Sequence, residues 1–126
     1  MDIAVNFSNF LFLIVSPSSI KILTPTGEEN LIRFKKDETI MLYCVVTGGR
    51  PEPTITWKVP NDIPNTIHKI INTSSDGGKI VRTSTIELLP KLKDNSTIIT
   101  CEAEHSTLLE PMNASLLLFH GMYLRS

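Results

Sequence analysis

The chain has 126 residues, 12 Lys and Arg against 13 Asp and Glu, and a formal net charge of −1. That length holds one domain with short extensions, and the balanced charge, with no basic run beyond Lys35-Lys36, leaves a nucleic acid or an anionic membrane without an electrostatic footprint. Aromatics are only 6% while β-branched residues are plentiful, a composition that favours strands over long helices.

Residues 1–17 contain the apolar stretch Phe10–Val15 followed by small residues at Ser16–Ser19, the outline of a secretory leader. Asp2, and the lack of Lys or Arg ahead of the apolar run, do not suit a leader. The segment therefore reads as a leader, a linker from a preceding domain, or a gene-model extension. From Ser18 the strand pattern begins. Ser19–Thr24 alternates as an edge-type strand bounded by Pro17 and Pro25, since proline cannot donate to a central ladder. Thr26–Asn30, including Glu28-Glu29, reads as a solvated turn, Leu31–Phe34 as a short return, and Lys35–Glu38 as a bend.

Thr39–Thr47 predicts a central strand. With Cys44 inward, the period of two sends Ile40, Leu42 and Val46 to the core and Met41, Tyr43 and Val45 outward. Gly48–Pro53, GGRPEP, carries the chain to a second sheet, its glycines permitting positive φ and its prolines holding Arg50 and Glu52 extended. Thr54–Val59 then points Ile55, Trp57 and Val59 inward. Pro60–Asn65 is a turn, Thr66–Ile71 a short strand or connector, and Asn72–Gly78 an exposed loop tip.

Lys79–Leu89 predicts the next strand, with Ile86 and Leu88 inward and Thr85 and Glu87 in water. Pro90–Ser96 makes a corner, and Thr97–His105 a strand whose inward set is Thr97, Ile99, Cys101 and Ala103, leaving Glu102 and Glu104 outside. Ser106–Met112 is a hairpin turn and Asn113–His120 the last strand. Its apolar run is far short of the ~20 residues that cross a bilayer. Residues 121–126 are a tail.

Two cysteines can be buried hydrophobes in a reducing compartment. Here each lies on an apolar alternating run bracketed by turns, with Trp57 between them, which is the frame of an all-β, immunoglobulin-like β-sandwich of two antiparallel sheets. A Cys44–Cys101 disulfide, with Trp57 as core anchor, would place residues 18–120 in an oxidising compartment. In the chain-entropy model such a loop closure contributes about 4 kcal/mol, a large share of a typical ~5–15 kcal/mol. Four of the eight asparagines, Asn6, Asn72, Asn95 and Asn113, stand in glycosylation sequons. Asn72 and Asn95 fall in expected turns and Asn113 opens a strand.

No catalytic, metal or cofactor chemistry is legible. His68, His105 and His120 fall in unrelated places without ligand spacing, and Gly48-Gly49 and Gly77-Gly78 lack the longer phosphate-loop pattern. An enzyme, a metal site and a small-molecule substrate are not expected.

The run CVVTGGRPEPTITW followed by TSTIELLPKLKDNSTIITCEAEH resembles C2-type immunoglobulin domains of cell-surface adhesion proteins. More narrowly, Val15–Leu23, the GGRPEP loop before Trp57, and Cys101–Leu124 with Pro111 in its hairpin are similar to the second immunoglobulin domain of the arthropod sidestep family. Ile99 stands where many such domains have a corner Tyr, and Lys58 where the family often has a second Trp. The resemblance implies a membrane-anchored receptor in axon guidance whose partner is a beaten-path-like protein on the opposing cell. Without the outermost domain, it implies a spacer more than a recognition tip.

The function expected is a non-enzymatic extracellular module that mediates or supports protein–protein recognition at the cell surface. Its first candidate contacts are Thr54, Thr56, Lys58, Glu102 and Glu104. Two other readings are a secreted single-domain binder and a module of a muscle immunoglobulin array.

Overall fold

The structure is a computed structural model and describes residues 2–7, 10–27, 30–75 and 77–121, with side chains from Leu13 onward. Ten strands follow in order: β1 (Asp2–Phe7), β2 (Phe10–Leu23), β3 (Leu31–Arg33), β4 (Ile40–Arg50), β5 (Thr54–Lys58), β6 (Asn65–Ile67), β7 (Ile71–Ser74), β8 (Ile80–Leu88), β9 (Thr97–Glu104) and β10 (Met112–Phe119). A 3-10 turn, Leu92–Asp94, precedes β9. One sheet runs β1-β2-β4-β8-β6 with β7 also paired to β8, and the other runs β3-β10-β9-β5. All pairs are antiparallel except β3 with β10.

Alternation builds the core between the sheets. Ile40, Leu42, Cys44 and Val46 of β4 face Ile99, Cys101 and Ala103 of β9, with Ile86 and Leu88 of β8 and Leu116 and Leu118 of β10 closing the layer. The intervening residues Met41, Tyr43 and Val45 lie on the opposite face and are only partly covered. Ile63, expected in a plain turn, is 2% exposed and belongs to the core cluster.

Several boundaries differ from the sequence expectation. β2 begins at Phe10, so residues 10–17 carry strand geometry, and it passes through Pro17 instead of starting after it. Pro17 is tolerated because β1 pairs only as far as Val15 and the register with β4 shifts between Pro17 and Ser19, the setting in which a missing N–H costs least. β4 continues through Gly48 and Gly49 to Arg50, because Pro17 and Val15 supply partners opposite them. Asn72 is not in a loop tip. It lies within β7, opposite Arg82 of β8. Leu31–Arg33 joins the sheet of β10, not that of β2. Glu28 and Glu29, and residues 122–126 of the tail, lie outside the described residues.

Candidate recognition face

Cys44 and Cys101 are joined by a disulfide, with Cα atoms 6.4 Å apart, that links β4 to β9 through the core. Trp57 stands opposite Cys101 in the β5–β9 register, and Ser84 stands opposite Cys44 in the β4–β8 register. Those four residues form one layer across the sandwich. Trp57 Nε1 donates to Ser84 Oγ at 3.0 Å, a second bond between the sheets within that layer. Ser84 was missed by sequence reasoning, although two steps back from Ile86 give the same inward parity.

With one face of β5, β9 and β10 turned to the core, the alternate residues line up outside. Thr54 stands opposite Glu104, Thr56 opposite Glu102, and Lys58 opposite Thr100. The five candidate contacts therefore form one contiguous patch on two adjacent strands. Thr54, Thr56, Lys58 and Glu104 are exposed and Glu102 is partly covered. Lys58 Nζ lies 3.9 Å from Glu102 Oε1, so the patch holds a loose pair of opposite charges on a hydroxyl-rich ground. Across β9, Glu102 faces Asn113 and Thr100 faces Ser115 of β10, and the Thr100 and Ser115 hydroxyls are bonded at 2.9 Å.

Toward the other end the same face turns apolar. Ile98, 56% exposed, stands opposite Leu117, which stands opposite Leu31. Beside them the Arg33 guanidinium lies 5.3 Å from the centroid of the Phe119 ring, within cation–π range.

The sequon residues are dispersed. Asn72 is exposed on β7 and its Oδ1 accepts from Arg82 Nη1 at 3.3 Å. Asn95 follows the 3-10 turn, partly covered, and its Oδ1 accepts from the His120 backbone N–H at 2.7 Å. Asn113 is exposed on β10. Asn6 lies on β1 opposite Leu11, and its side chain is outside the described residues.

The histidines serve local structure. His105 Nε2 donates to the Pro51 carbonyl at 2.8 Å and its Nδ1 accepts from the Thr107 N–H. His120 Nδ1 donates to the Phe34 carbonyl at 3.0 Å. His68 lies 3.3 Å from Glu87 on the surface. Among the described residues no group of three His, Cys, Asp or Glu side chains could hold a metal ion. No helix there is long and apolar enough to cross a membrane.

Two sheets stapled by a disulfide beside a buried Trp define an immunoglobulin-like domain. The chain belongs to the CD80-like C2-set immunoglobulin domain family, whose model matches residues 23–112. It is 27% identical over 85 residues to human nectin-2, covering 68% of this chain and 15% of nectin-2. It is 26% identical over 98 residues to the Drosophila melanogaster irregular chiasm C-roughest protein, covering 76% and 12%, and 24% identical over 102 residues to human nephrin, covering 81% and 8%. The chain thus spans a small fraction of each relative. A crystal structure of Rst D1-D2 shares its fold at a TM-score of 0.63 and 24% identity, over 85% of this chain and 50% of that one. The mouse nectin-like molecule 4 ectodomain does so at 0.61 and 19%, over 85% and 35%.

Proposed function

We propose that this domain is an extracellular module of a membrane-anchored cell-surface receptor and that it mediates or supports recognition of a protein on another cell. The observation that carries the reading is membership of the C2-set family over residues 23–112, in a sandwich closed by the Cys44–Cys101 disulfide. The contact surface in this reading is the β5–β9 patch of Thr54, Thr56, Lys58, Glu102 and Glu104. A hydroxyl-rich surface with a partly exposed charge pair suits a non-obligate interface of about 1,200–2,000 Å² in total. The similarity of the GGRPEP loop and of Cys101–Leu124 to the sidestep family supports a beaten-path-like immunoglobulin protein as the partner. Asn6, Asn72, Asn95 and Asn113 are its candidate glycan acceptors.

The test is binding by the full chain, secreted as a bivalent fusion and stripped of N-linked sugar, to a panel of cell-surface ectodomains that includes beaten-path-like proteins. Saturable binding that weakens at least tenfold when Thr56→Arg or Glu102→Arg is introduced is the expected result. Retention in the cell with free thiols at Cys44 and Cys101 would overturn the extracellular reading. Binding unaffected by both substitutions would remove the β5–β9 patch from it.

A further inference from the structure

Only the folded arrangement shows that one sequon sits on the proposed recognition patch. Asn113 is directly opposite Glu102, which is directly opposite Thr56, so the three side chains make one row across β10, β9 and β5. Directly opposed side chains have Cβ atoms about 4.5–5.5 Å apart. The Asn113 amide is therefore one strand spacing from Glu102 and two from Thr56, with the Lys58–Thr100–Ser115 row beside it.

Asn113 also projects more freely than the other acceptors whose side chains are described. It is exposed and makes no side-chain hydrogen bond to any described residue. The amide oxygens of Asn72 and Asn95 are each held by a neighbour. Its neighbours on the face, Ser115 and Glu102, are polar.

We propose that an N-linked oligosaccharide on Asn113 gates this face, closing the β5–β9 patch to a macromolecular partner while it is present. The inference rests on the extracellular reading above, since the modification needs the secretory route. In the step itself Asn113 Nδ2 bonds to the anomeric carbon of a lipid-pyrophosphate-linked oligosaccharide. The bond from that carbon to the pyrophosphate oxygen breaks, the lipid pyrophosphate leaves with the electron pair, and the amide proton passes to a base of the transferase. Linkage through Nδ2 on the outward side of the sheet sets the sugar chain beside Glu102 and Thr56 in the same row. A partner that must lie flat on that row is excluded, whereas small solutes still reach it. Two glycoforms of one chain would then differ in binding without any change of fold.

Lys58 and Lys21 provide the readout. Lys58 is exposed on the gated face, one row from Asn113, and Lys21 is exposed on the outer face of the other sheet, opposite Val45. The full chain is secreted from eukaryotic cells, and sequon occupancy is read by mass after an amidase converts each glycosylated Asn to Asp. On the chain not treated with amidase, labelling is compared for a small acetylating ester and for an ester carrying a long poly(ethylene glycol) chain. The expected result is an occupied Asn113, with long-chain labelling of Lys58 several-fold below that of Lys21. That deficit disappears in Asn113→Gln and in Ser115→Ala, which removes the sequon and keeps Asn113. Small-ester labelling stays equal throughout.

An unmodified Asn113 beside an occupied Asn72 or Asn95 overturns the gate and leaves the extracellular reading standing. A secreted chain with no occupied sequon overturns the gate alone, whereas retention in the cell with free thiols at Cys44 and Cys101 overturns both. An occupied Asn113 with undiminished long-chain labelling of Lys58 shows that the sugar does not cover the patch.

Discussion

The indole N–H of Trp57 donates to the hydroxyl of Ser84 across the core, and it does so in the same layer as the Cys44–Cys101 disulfide. Trp57 is 8% and Ser84 2% exposed, so neither group has water as a ready alternative partner. The hydrogen bond gives the large ring one orientation between the sheets, and the disulfide keeps those sheets at the spacing the ring needs.

Ser84→Ala strands the indole donor, and a buried polar group left unmade costs about 1–3 kcal/mol. Trp57→Phe keeps much of the apolar bulk and removes the donor, so the two substitutions together should cost less than their sum. Urea unfolding of the two single variants and the double variant measures this as a coupling energy. Strict additivity would mean the bond contributes nothing. Trp57→Ala is the harsher test, at about 3–5 kcal/mol.

Replacing both Cys44 and Cys101 by Ala removes the cross-link without leaving a lone thiol. The two positions are 57 residues apart in sequence, and the chain-entropy model puts the loss at about 4 kcal/mol. The expected outcome is a domain that is mostly unfolded at 37 °C and retained in the cell. A double variant secreted at the normal level, with an unchanged urea midpoint, would show that hydrophobic packing alone suffices.

Gly49 and Gly27 make a controlled pair. Both have positive φ, +101° and +87°, where a side chain is strained. A Cβ at Gly49 would also come within 2.6 Å of Pro53 Cγ, while at Gly27 it meets nothing within 4 Å. Gly49→Ala should therefore be the more destabilising by at least about 1 kcal/mol in thermal or urea unfolding. Equal costs would mean that the crossing loop shifts freely to accept the methyl group.

The Lys58–Glu102 pair should matter little for folding. Its side chains are 60% and 26% exposed and the charged atoms are 3.9 Å apart, a geometry in which screening and side-chain entropy offset most of the attraction. Lys58→Ala is expected to leave stability within about 0.5 kcal/mol of the parent. Binding changes in that variant can then be assigned to the surface and not to unfolding. A larger loss would imply that Lys58 packs its stem against the sheet.

The inward sets of β4 and β9, and the Cys/Trp/Cys frame, were legible in the chain because strand parity is a local property. A residue two positions from a buried one faces the same way whatever the rest of the fold does, and Leu42, Val46, Ile99 and Ala103 follow from Cys44 and Cys101 by that rule alone. Parity also carried the outward position of Thr54, Thr56, Lys58, Glu102 and Glu104. Other features depended on partners distant in sequence. Arg82 has the inward parity of Ser84, and its charge is accommodated because Glu52 of the crossing loop accepts at 2.8 Å and Asn72 of β7 at 3.3 Å, partners that meet it only in the fold. Asp94, fully buried at the corner, accepts from the Lys91 N–H at 2.8 Å, and no residue count would have moved it inside.

By itself, then, the sequence determined the class of fold, the staple and the faces of its strands, because hydrophobic period and turn chemistry act over a few residues. Which faces lie side by side was decided only by the tertiary structure. The register of β10 against β9 set Asn113 beside Glu102, and β3 was drawn to β10 and not to β2, because pairing between distant strands is chosen by the shape of the packed core.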